Sequence, residues 1–400
     1  MAGSAAAVVS TLDAVGAAAE TVPSQAGGVP NSTGGGALVE LANPLQGTDS
    51  TSLFSRGNTL PIVAVPFAMA HWALQSSDKT AWFFQPRDER LQGVRCTHQL
   101  SPWLADYGYA TFLPFNGDSQ PDAAARASSY RSAELEIAPH ALKVRLMRYR
   151  CALELAPTER GAIMRFTFEE SGPAGVFIDL PGENAEASCD AANGTINAST
   201  SYNHGGVPKG FATRYAVRCD AKITSFEVKN GGGRRVAVVR FMAEAGKPIR
   251  LRVGSSFISS DQAALNLKNE VGDKSFEQVK SEAAATWEAA LGRVRINGAS
   301  ETQRKVFYSC LYRALLYPRI WHERDAGGNI VHMSPYSSKV EPGVMYADHG
   351  YWDTYRAWYP MMALLYPERL TEILQAWVNA YKEGGWFPQF PCPGYRNCMT

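Results

Sequence analysis

The segment between Tyr130 and Phe257 constrains the fold most, because short strand-like runs follow one another there without a helical period. Runs such as ALKVRLMRY, GVFIDLPG, RRVAVVRFMAEA and PIRLRVGSSFIS show alternation or β-rich composition, and Gly, Pro and Asn turns separate them. Closely spaced strands with no helices between them are typical of two packed sheets. The sequence therefore predicts a large β-sandwich.

The chain changes to a helical period after these strands. A short helix is predicted to begin in DQAALNLKNE, and one long helix follows it. The long helix carries its apolar residues on one side, namely Phe276, Val279, Ala283, Trp287, Ala290 and Leu291. The next helix is predicted to bury Phe307, Cys310, Leu311, Ala314 and Leu315 and to end at Pro318.

An aromatic stretch from Tyr346 to Trp386 follows. On a helix from Tyr351 to Met362, five residues share one side: Trp352, Tyr355, Trp358, Tyr359 and Met362. We expect this helix to stop or bend at Pro360, since proline removes a backbone donor. A second helix is predicted to begin with Pro367 and to end at Gly384-Gly385, which makes an αα-hairpin.

Asp353 and Arg356 are three residues apart at the edge of this aromatic side and are neighbours on a helix surface. A carboxylate and a guanidinium beside indole and phenol rings suit a carbohydrate, which has apolar ring faces and polar hydroxyls. The alternative is a surface salt bridge between the two side chains, which contributes little to stability.

The stretches HGYWDTYRAWYPMMALLYPER and YKEGGWFPQFP resemble the signature of glycoside hydrolase family 92. GNTLPIVAVPFAM resembles the N-terminal motif of that family, with Ala68 where the family usually has glycine. The resemblance implies an exo-acting, calcium-dependent, inverting α-mannosidase that acts on mannose-containing glycans such as N-glycans. It also implies a fold of the multi-domain β then α class, with an N-terminal β-sandwich and the first helices of an (α/α)6 barrel.

The resemblance also suggests residues that bind the sugar. It implies that Asp353 contacts the sugar hydroxyls and that Trp352 and Arg356 are its neighbours in the same subsite. It places Trp386 at the barrel mouth, although a simple helix stop explains the preceding glycines equally well. His98 is expected either to reach the sugar or to be a structural histidine in a turn.

Glycoside hydrolysis needs two carboxyl groups, which an inverting enzyme places roughly 6.5–9.5 Å apart. The resemblance places the general acid and base in Gly-Asn-Glu-Pro-Ser and Gly-Asn-Asp motifs, and neither motif occurs in this sequence. We therefore expect the catalytic pair beyond Thr400 and this chain alone to be inactive. Calcium takes six to eight oxygen ligands, and the resemblance implies that residues beyond Thr400 and the sugar supply part of them.

These patterns predict four segments. Residues 1–45 are expected to be a disordered, low-complexity leader, 46–260 the β-sandwich, 261–298 linker helices and 299–400 the start of a truncated barrel. The first basic residue is Arg56, so the leader lacks the positive segment of an export signal. The resemblance nevertheless implies a secreted or periplasmic protein, and the location stays open.

Composition excludes several classes of partner. A net charge of +1 gives no electrostatic footprint for nucleic acid, and no apolar run is long enough to span a bilayer. The seven cysteines contain no C-x-x-C pair, so no zinc site is predicted; a bridge between Cys392 and Cys398 is one open possibility.

Two other functions fit the same architecture. One is a sandwich-plus-(α/α)6 glycosidase or phosphorylase that acts on glucosides, and the other is a catalytically silent carbohydrate-binding fragment. The sequence leaves open the mannosidic linkage that is preferred and the oligomeric state.

Overall fold

The computed structural model describes residues 37–79, 81–118, 120–204, 207–208 and 210–395. Long strands dominate up to Ser256, and the longer helices follow from Ser260. The strands of the first part are, in chain order, β1 (His71–Gln75), β2 (Arg90–Leu91), β3 (Gly93–Thr97), β4 (Ala110–Asn116), β5 (Ser128–Ser129), β6 (Glu136–Ala138), β7 (Ala141–Leu146), β8 (Cys151–Pro157), β9 (Gly161–Phe168), β10 (Gly172–Pro181), β11 (Glu186–Asp190), β12 (Thr195–Thr200), β13 (Thr213–Cys219), β14 (Ile223–Gly231), β15 (Arg234–Ala243) and β16 (Pro248–Ser256).

Helices and short strands make up the remainder. The helices are α1 (Ala123–Arg126), α2 (Ser260–Glu270), α3 (Phe276–Leu291), α4 (Glu301–Ala314), α5 (Tyr351–Thr354), α6 (Trp358–Leu365) and α7 (Pro367–Gly384), with 3-10 turns at Leu38–Leu41 and Ser132–Glu134. Between α4 and α5 lie β17 (Arg319–Ile320), β18 (Glu323–Arg324), β19 (Ile330–Met333), β20 (Val340–Pro342) and β21 (Tyr346–Ala347).

Two large sheets form the predicted β-sandwich. One has the strand order β1-β3-β4-β10-β15-β14 and the other the order β11-β12-β13-β16-β9-β8-β7-β6. The sheets face each other, since the rings of Phe112 in β4 and Tyr215 in β13 lie 6.4 Å apart, as do those of Phe168 in β9 and Phe241 in β15. Apolar side chains from both sheets form one core, which confirms the predicted fold class of a sandwich followed by helices.

The long linker helix α3 buries the side that its period predicts. Phe276, Val279, Ala283, Trp287 and Leu291 are buried. The helix begins with a capping box, in which Ser275 and Gln278 each accept a hydrogen bond from the backbone N–H of the other. Its position on the sandwich is fixed in part by the Trp287 indole, which donates to the Ala64 carbonyl at 2.7 Å.

The buried side of α4 differs from the predicted one. Leu311 is buried as expected, but Cys310 is exposed and Phe307 is only half-buried. Tyr308 and Tyr312 are buried in their place because their hydroxyls donate to backbone carbonyls. Burial of a tyrosine is favourable when its hydroxyl makes such a hydrogen bond. The spacing of apolar residues in the sequence does not show whether an acceptor is available.

The predicted leader, residues 1–45, includes residues 37–45, which the structure describes. Residues 38–41 form a 3-10 turn in which Leu38 and Val39 are buried. The Val39 N–H donates to Glu288 of α3 at 2.7 Å. The rest of the predicted leader, residues 1–36, and Cys398 of the suggested disulfide lie outside the described residues.

The aromatic stretch forms two helices where one was predicted. The chain leaves the helical path after Thr354 and enters α6 at Trp358, so the break precedes Pro360. Pro360 lies in the first turn of α6, where its missing N–H has no partner to lose. The expectation that Pro360 ends a helix is therefore wrong, and Trp352 and Tyr355 are exposed instead of sharing a buried side.

The second helix of this stretch follows its prediction at both ends. Pro367 opens α7, and Gly385 ends it in the left-handed conformation with φ 80°. The indole of Trp377 in α7 donates to the Tyr359 hydroxyl of α6 at 3.0 Å, so the two helices pack as a hairpin. Within the described residues, no helix is both long and apolar enough to cross a membrane.

Candidate functional site

The loop between α4 and α5 folds back on itself and delivers α5 next to the sandwich. Strand β17 pairs with β21, with Arg319 opposite Ala347. Strands β18, β19 and β20 form a small antiparallel sheet between them. The loop therefore leaves and returns at one place, which fixes where Asp348 and the helix after it lie.

A buried ion pair joins this loop to the sandwich. Arg319 is 1% exposed and Asp348 2% exposed. The Arg319 Nε donates to Asp348 Oδ2 at 2.8 Å, and the Tyr107 hydroxyl of the sandwich donates to the same oxygen at 2.8 Å. Arg319 also donates to the backbone carbonyls of Thr97 at 2.9 Å and His98 at 2.5 Å. One guanidinium thus ties two sandwich residues to the segment that precedes α5.

Electrostatics keep this pair charged. Burial by itself lowers the pKa of Arg319, but Asp348 and Tyr107 more than offset that effect and hold the pKa above its usual value. Burial raises the pKa of Tyr107 well above its usual value, so its hydroxyl stays protonated and keeps donating. Removing one partner of such a buried pair is costly, because the charge that remains is neither paired nor hydrated.

His98 belongs to this joint and not to an open surface. It is 0% exposed, its Nδ1 lies 2.8 Å from the Tyr107 carbonyl oxygen, and its ring stacks on the Tyr107 ring at 5.0 Å. Burial, with the nearby Arg319, lowers its pKa well below the usual value, so the ring is neutral. Of the two expectations for His98, the structural histidine in a turn agrees with this burial, and direct contact with a sugar does not.

The other predicted sugar-binding residues lie on the surface of α5 and the turn after it. Trp352 is 56% exposed, and Asp353 and Arg356 are exposed. The Arg356 guanidinium lies 4.9 Å from the ring centroids of both Trp352 and Tyr355. Arg356 thus stacks on aromatic rings, and among the described residues Asp353 makes neither an ion pair nor a hydrogen bond. The alternative of an Asp353–Arg356 salt bridge is not realised.

An aromatic box around His349 holds α5 in place. The His349 ring lies between 5.0 and 5.7 Å from the rings of Tyr351, Trp358, Tyr359 and Trp377. Burial lowers the pKa of His349 to about 3. A neutral imidazole in this box links the start of α5 to both helices of the hairpin.

Trp386 follows the turn that ends α7. It is 76% exposed, and its carbonyl accepts a hydrogen bond from the Tyr395 hydroxyl at 3.2 Å. The preceding turn is anchored by Glu383, whose two carboxylate oxygens lie 3.0 and 3.1 Å from Nε2 of the buried His332. Glu383 is therefore paired with His332, whereas Trp386 and its neighbour Phe387 are both exposed.

The chain after Trp386 returns to the start of α5. The Asp348 N–H donates to the Pro391 carbonyl at 2.6 Å. The Phe390 ring approaches Gly350 so closely that an added Cβ would lie 2.5 Å from it. These two contacts join residues 390–391 to the start of α5, whereas His98 is fully buried.

The exposed groups of α5 and the turn after it are the Trp352 indole, the Asp353 carboxylate and the Arg356 guanidinium. The sequence patterns pointed to these residues, but they did not identify the Arg319–Asp348 pair beneath them. Arg319 and Asp348 lie 29 residues apart along the chain, so no local pattern in the sequence joins them.

Comparison with known families finds a match for both parts of the chain. The sequence profile of the glycosyl hydrolase family 92 N-terminal domain matches residues 41–256, and that of the family 92 catalytic domain matches residues 262–400. The two matches together cover the sandwich, the linker helices and the helical part.

Two solved structures and one related protein sequence agree with these family matches. The inverting mannosidase BT2199 of family GH92 from Bacteroides thetaiotaomicron has 35% sequence identity and a TM-score of 0.89 over 92% of this chain and 51% of its own. The α-mannosidase BT3965 from the same species shares the fold, with 21% identity and a TM-score of 0.76 over 88% of this chain and 51% of its own. An uncharacterized secreted glycosidase from Arthroderma benhamiae is 28% identical over 208 residues, which cover 42% of this chain and 27% of that protein. The chain thus spans about half the length of the two solved mannosidases.

Proposed function

This chain belongs to glycosyl hydrolase family 92, and from that premise we propose that the protein removes terminal α-linked mannose from glycans with inversion at the anomeric carbon. The observation that carries the proposal is the likeness to an inverting mannosidase at 35% identity over 92% of this chain. The general acid and base of the proposal are assigned to polypeptide beyond Thr400.

Within this chain, the proposal gives the exposed residues of α5 the task of binding the sugar. The Asp353 carboxylate accepts hydrogen bonds from sugar hydroxyls, since no protein donor occupies it among the described residues. Arg356 donates to hydroxyls while its guanidinium plane rests on Trp352 and Tyr355. Trp386 supplies an apolar face for the ring.

Calcium remains a prediction within this proposal. Among the described residues, no group of three or more His, Cys, Asp or Glu side chains is placed to hold a metal ion. No residue of this chain is therefore assigned as a calcium ligand, and no step of the reaction is assigned to the ion. A secreted or periplasmic location is proposed likewise, supported by the relative that is described as a secreted glycosidase.

The test is release of sugar from aryl α-mannosides and aryl α-glucosides by the purified product of the full-length gene. We expect release of mannose only, independent of phosphate, with β-mannose as the first anomer seen by NMR. Release of glucose, or a requirement for phosphate, would favour the glucoside-active alternative. Mannose binding without any hydrolysis would favour a silent carbohydrate-binding protein.

A matched pair of variants tests the role of α5. Asp353 and Asp261 are exposed carboxylates in the first turn of a helix, α5 and α2 respectively. Asp353→Asn should lower kcat/KM for aryl mannosides at least tenfold, because a hydrogen bond to a charged group contributes about 1.5–3 kcal/mol. Asp261→Asn should leave kcat/KM unchanged. Equal activity of the two variants would remove Asp353 from the site.

A further inference from the structure

A buried pair of side chains attaches the turn that carries Trp386 to the β18–β20 sheet. We call residues 384–386 the Trp386 turn. Glu383, which directly precedes it, lies against His332 of β19, and the two side chains are 9% and 0% exposed. Both carboxylate oxygens of Glu383 face Nε2 of His332, at 3.0 and 3.1 Å. The pair shares no residue with the α5 surface or with the Arg319–Asp348 pair.

The hydrogen-bond partners of His332 fix how many protons this pair holds. Its Nδ1 lies 2.8 Å from the Gly343 carbonyl oxygen, which can only accept, so Nδ1 carries a proton. Its Nε2 faces Glu383, and a lone pair on Nε2 would repel an ionised carboxylate. One further proton is therefore shared between Nε2 and the carboxylate. The two side chains attract each other only while they keep that second proton.

The acceptor of Nδ1 is itself fixed in place. The Gly343 N–H donates to the Ile330 carbonyl at 2.8 Å. The carbonyl of the next residue, Val344, accepts from the Asn379 side chain of α7 at 2.9 Å. Asn379 thus ties this segment to the same helix that carries Glu383, and the imidazole is held between two acceptors whose spacing is set.

Other titratable groups on the neighbouring elements do not compete for this pair. They are His322 before β18, Glu341 of β20, Lys382 of α7, and Tyr336, Tyr395 and Cys392 in the segments that pack on the turn. Glu341 and His322 have polar partners elsewhere, at 3.0 and 3.7 Å. Burial raises the pKa of Tyr336, so its hydroxyl stays neutral. Among the described residues, Glu383 is the only hydrogen-bond partner of Nε2 of His332.

The Trp386 turn is packed closely on the segment that follows β19. Gly384 leaves no room for a side chain there, because an added Cβ would meet Tyr395 and lie 3.1 Å from Tyr336 Cβ. The Tyr395 hydroxyl also donates to the Trp386 carbonyl at 3.2 Å. The Trp386 indole itself is 76% exposed. Its position is therefore set by the backbone of the turn, which Glu383 anchors.

We propose that Glu383 and His332 position the Trp386 indole for the sugar, and that their shared proton makes this positioning depend on pH. When the pH rises and the shared proton passes to the solvent, the carboxylate faces the lone pair of Nε2. The two side chains then repel each other, and the turn moves away from β19. The sugar as the ligand of Trp386 rests on the proposed function; the shared proton and the anchored turn do not.

Glu383→Gln separates the proton from the pairing. The glutamine amide donates to the lone pair of Nε2 while Nδ1 still donates to Gly343, so this variant keeps the pair without a second proton. Glu383→Ala removes the pair at every pH. The matched control is Glu368→Gln, which makes the same carboxylate-to-amide change in the first turn of α7, where the side chain is 59% exposed.

Fluorine NMR of the product of the full-length gene, labelled with 5-fluorotryptophan, follows the turn without any reference to activity. Trp386→Phe identifies the Trp386 signal. Between pH 6 and 9.5 we expect this signal to titrate in the parent and in Glu368→Gln and to stay fixed in Glu383→Gln. In Glu383→Ala it should take the alkaline position at every pH; if that variant does not fold, the comparison with Glu383→Gln suffices. A parent signal that does not titrate, or an equal titration in Glu383→Gln, would overturn the proposal.

Hydrolysis of aryl α-mannosides separates this proposal from the function. The ratio of kcat/KM in Glu383→Gln to that in the parent should rise at least threefold between pH 6 and 9, through KM, since the reacting acid and base are the same in both proteins. A parent that hydrolyses no mannoside while the Trp386 signal titrates would refute the function and support the anchored turn. Hydrolysis with a ratio that does not change with pH would show that the turn positions no sugar-binding group and would overturn the proposal while the function stands.

Discussion

Replacing Asp348 by asparagine should destabilise the protein by about 3 kcal/mol, at the lower end of the roughly 3–5 kcal/mol measured when a buried ion pair loses one partner. The side chain shape is kept, and asparagine tolerates the left-handed backbone that Asp348 adopts with φ 60°. The amide oxygen still accepts one hydrogen bond. What is lost is the negative charge beside Arg319, which lies 2.8 Å from Asp348 Oδ2 and is 1% exposed.

Arg319 cannot relieve this loss by giving up its proton, because a guanidinium stays charged in proteins. Its bonds to the carbonyls of Thr97 and His98 remain, which is the reason for expecting the lower end of the range. The buried cation then faces neutral acceptors only, and the joint between the sandwich and the loop before α5 is weakened.

Urea unfolding followed by tryptophan fluorescence measures the effect as a lower midpoint at an unchanged slope. Glu368→Gln is the matched control, since it makes the same carboxylate-to-amide change in the exposed Arg293–Glu368 pair, whose side chains are 47% and 59% exposed. The control should lose at most about 1 kcal/mol. A loss below about 1 kcal/mol in Asp348→Asn as well would show that the buried pair does not hold the joint together.

Three further outcomes are expected. His349 has a folded pKa of about 3, so between pH 3 and 6.5 it binds fewer protons in the folded than in the unfolded protein, and the free energy of unfolding falls on acidification through that window. His349→Phe should reduce the loss of unfolding free energy between pH 7 and 5 by about 2 kcal/mol, measured by urea titration. An identical loss in the variant would contradict the assigned burial. Gly385→Ala should lower the free energy of unfolding by about 1 kcal/mol through backbone strain alone, because φ is 80° and no atom lies within 4 Å of an added Cβ. Gly384→Ala should instead displace the Tyr395 side chain, which lies against the added Cβ, and NMR signals of the Tyr395 ring would report this. Chelation with EDTA should abolish mannoside hydrolysis and added calcium should restore it; full activity after exhaustive chelation would exclude a calcium requirement.

The sequence alone was sufficient for the elements whose signals are local. Alternation with a period of two identified the sandwich strands, because side chains on a strand alternate between two faces whatever packs on them. The apolar side of α3, the proline that opens α7 and the glycine that ends it were read correctly for the same reason. Each of these signals depends on a few neighbouring residues.

The face of a helix that becomes buried depends on its surroundings, and the sequence did not settle it. Tyr308 and Tyr312 of α4 are buried because carbonyls of distant segments accept their hydroxyl protons, and no pattern within α4 shows those acceptors. The break before Trp358 was likewise misplaced by the sequence, because Pro360 lies in the first turn of α6, and Trp358 packs against the distant ring of His349.

The candidate site shows the same division. The sequence singled out Trp352, Asp353, Arg356 and Trp386, which the structure places on the surface, and His98, which it buries. Only the tertiary structure revealed the Arg319–Asp348 pair and the hydrogen bonds from Arg319 to the carbonyls of Thr97 and His98. Their partners come together from parts of the chain far apart in sequence, and contacts of that kind are fixed by packing and burial, which leave no periodic trace in the sequence.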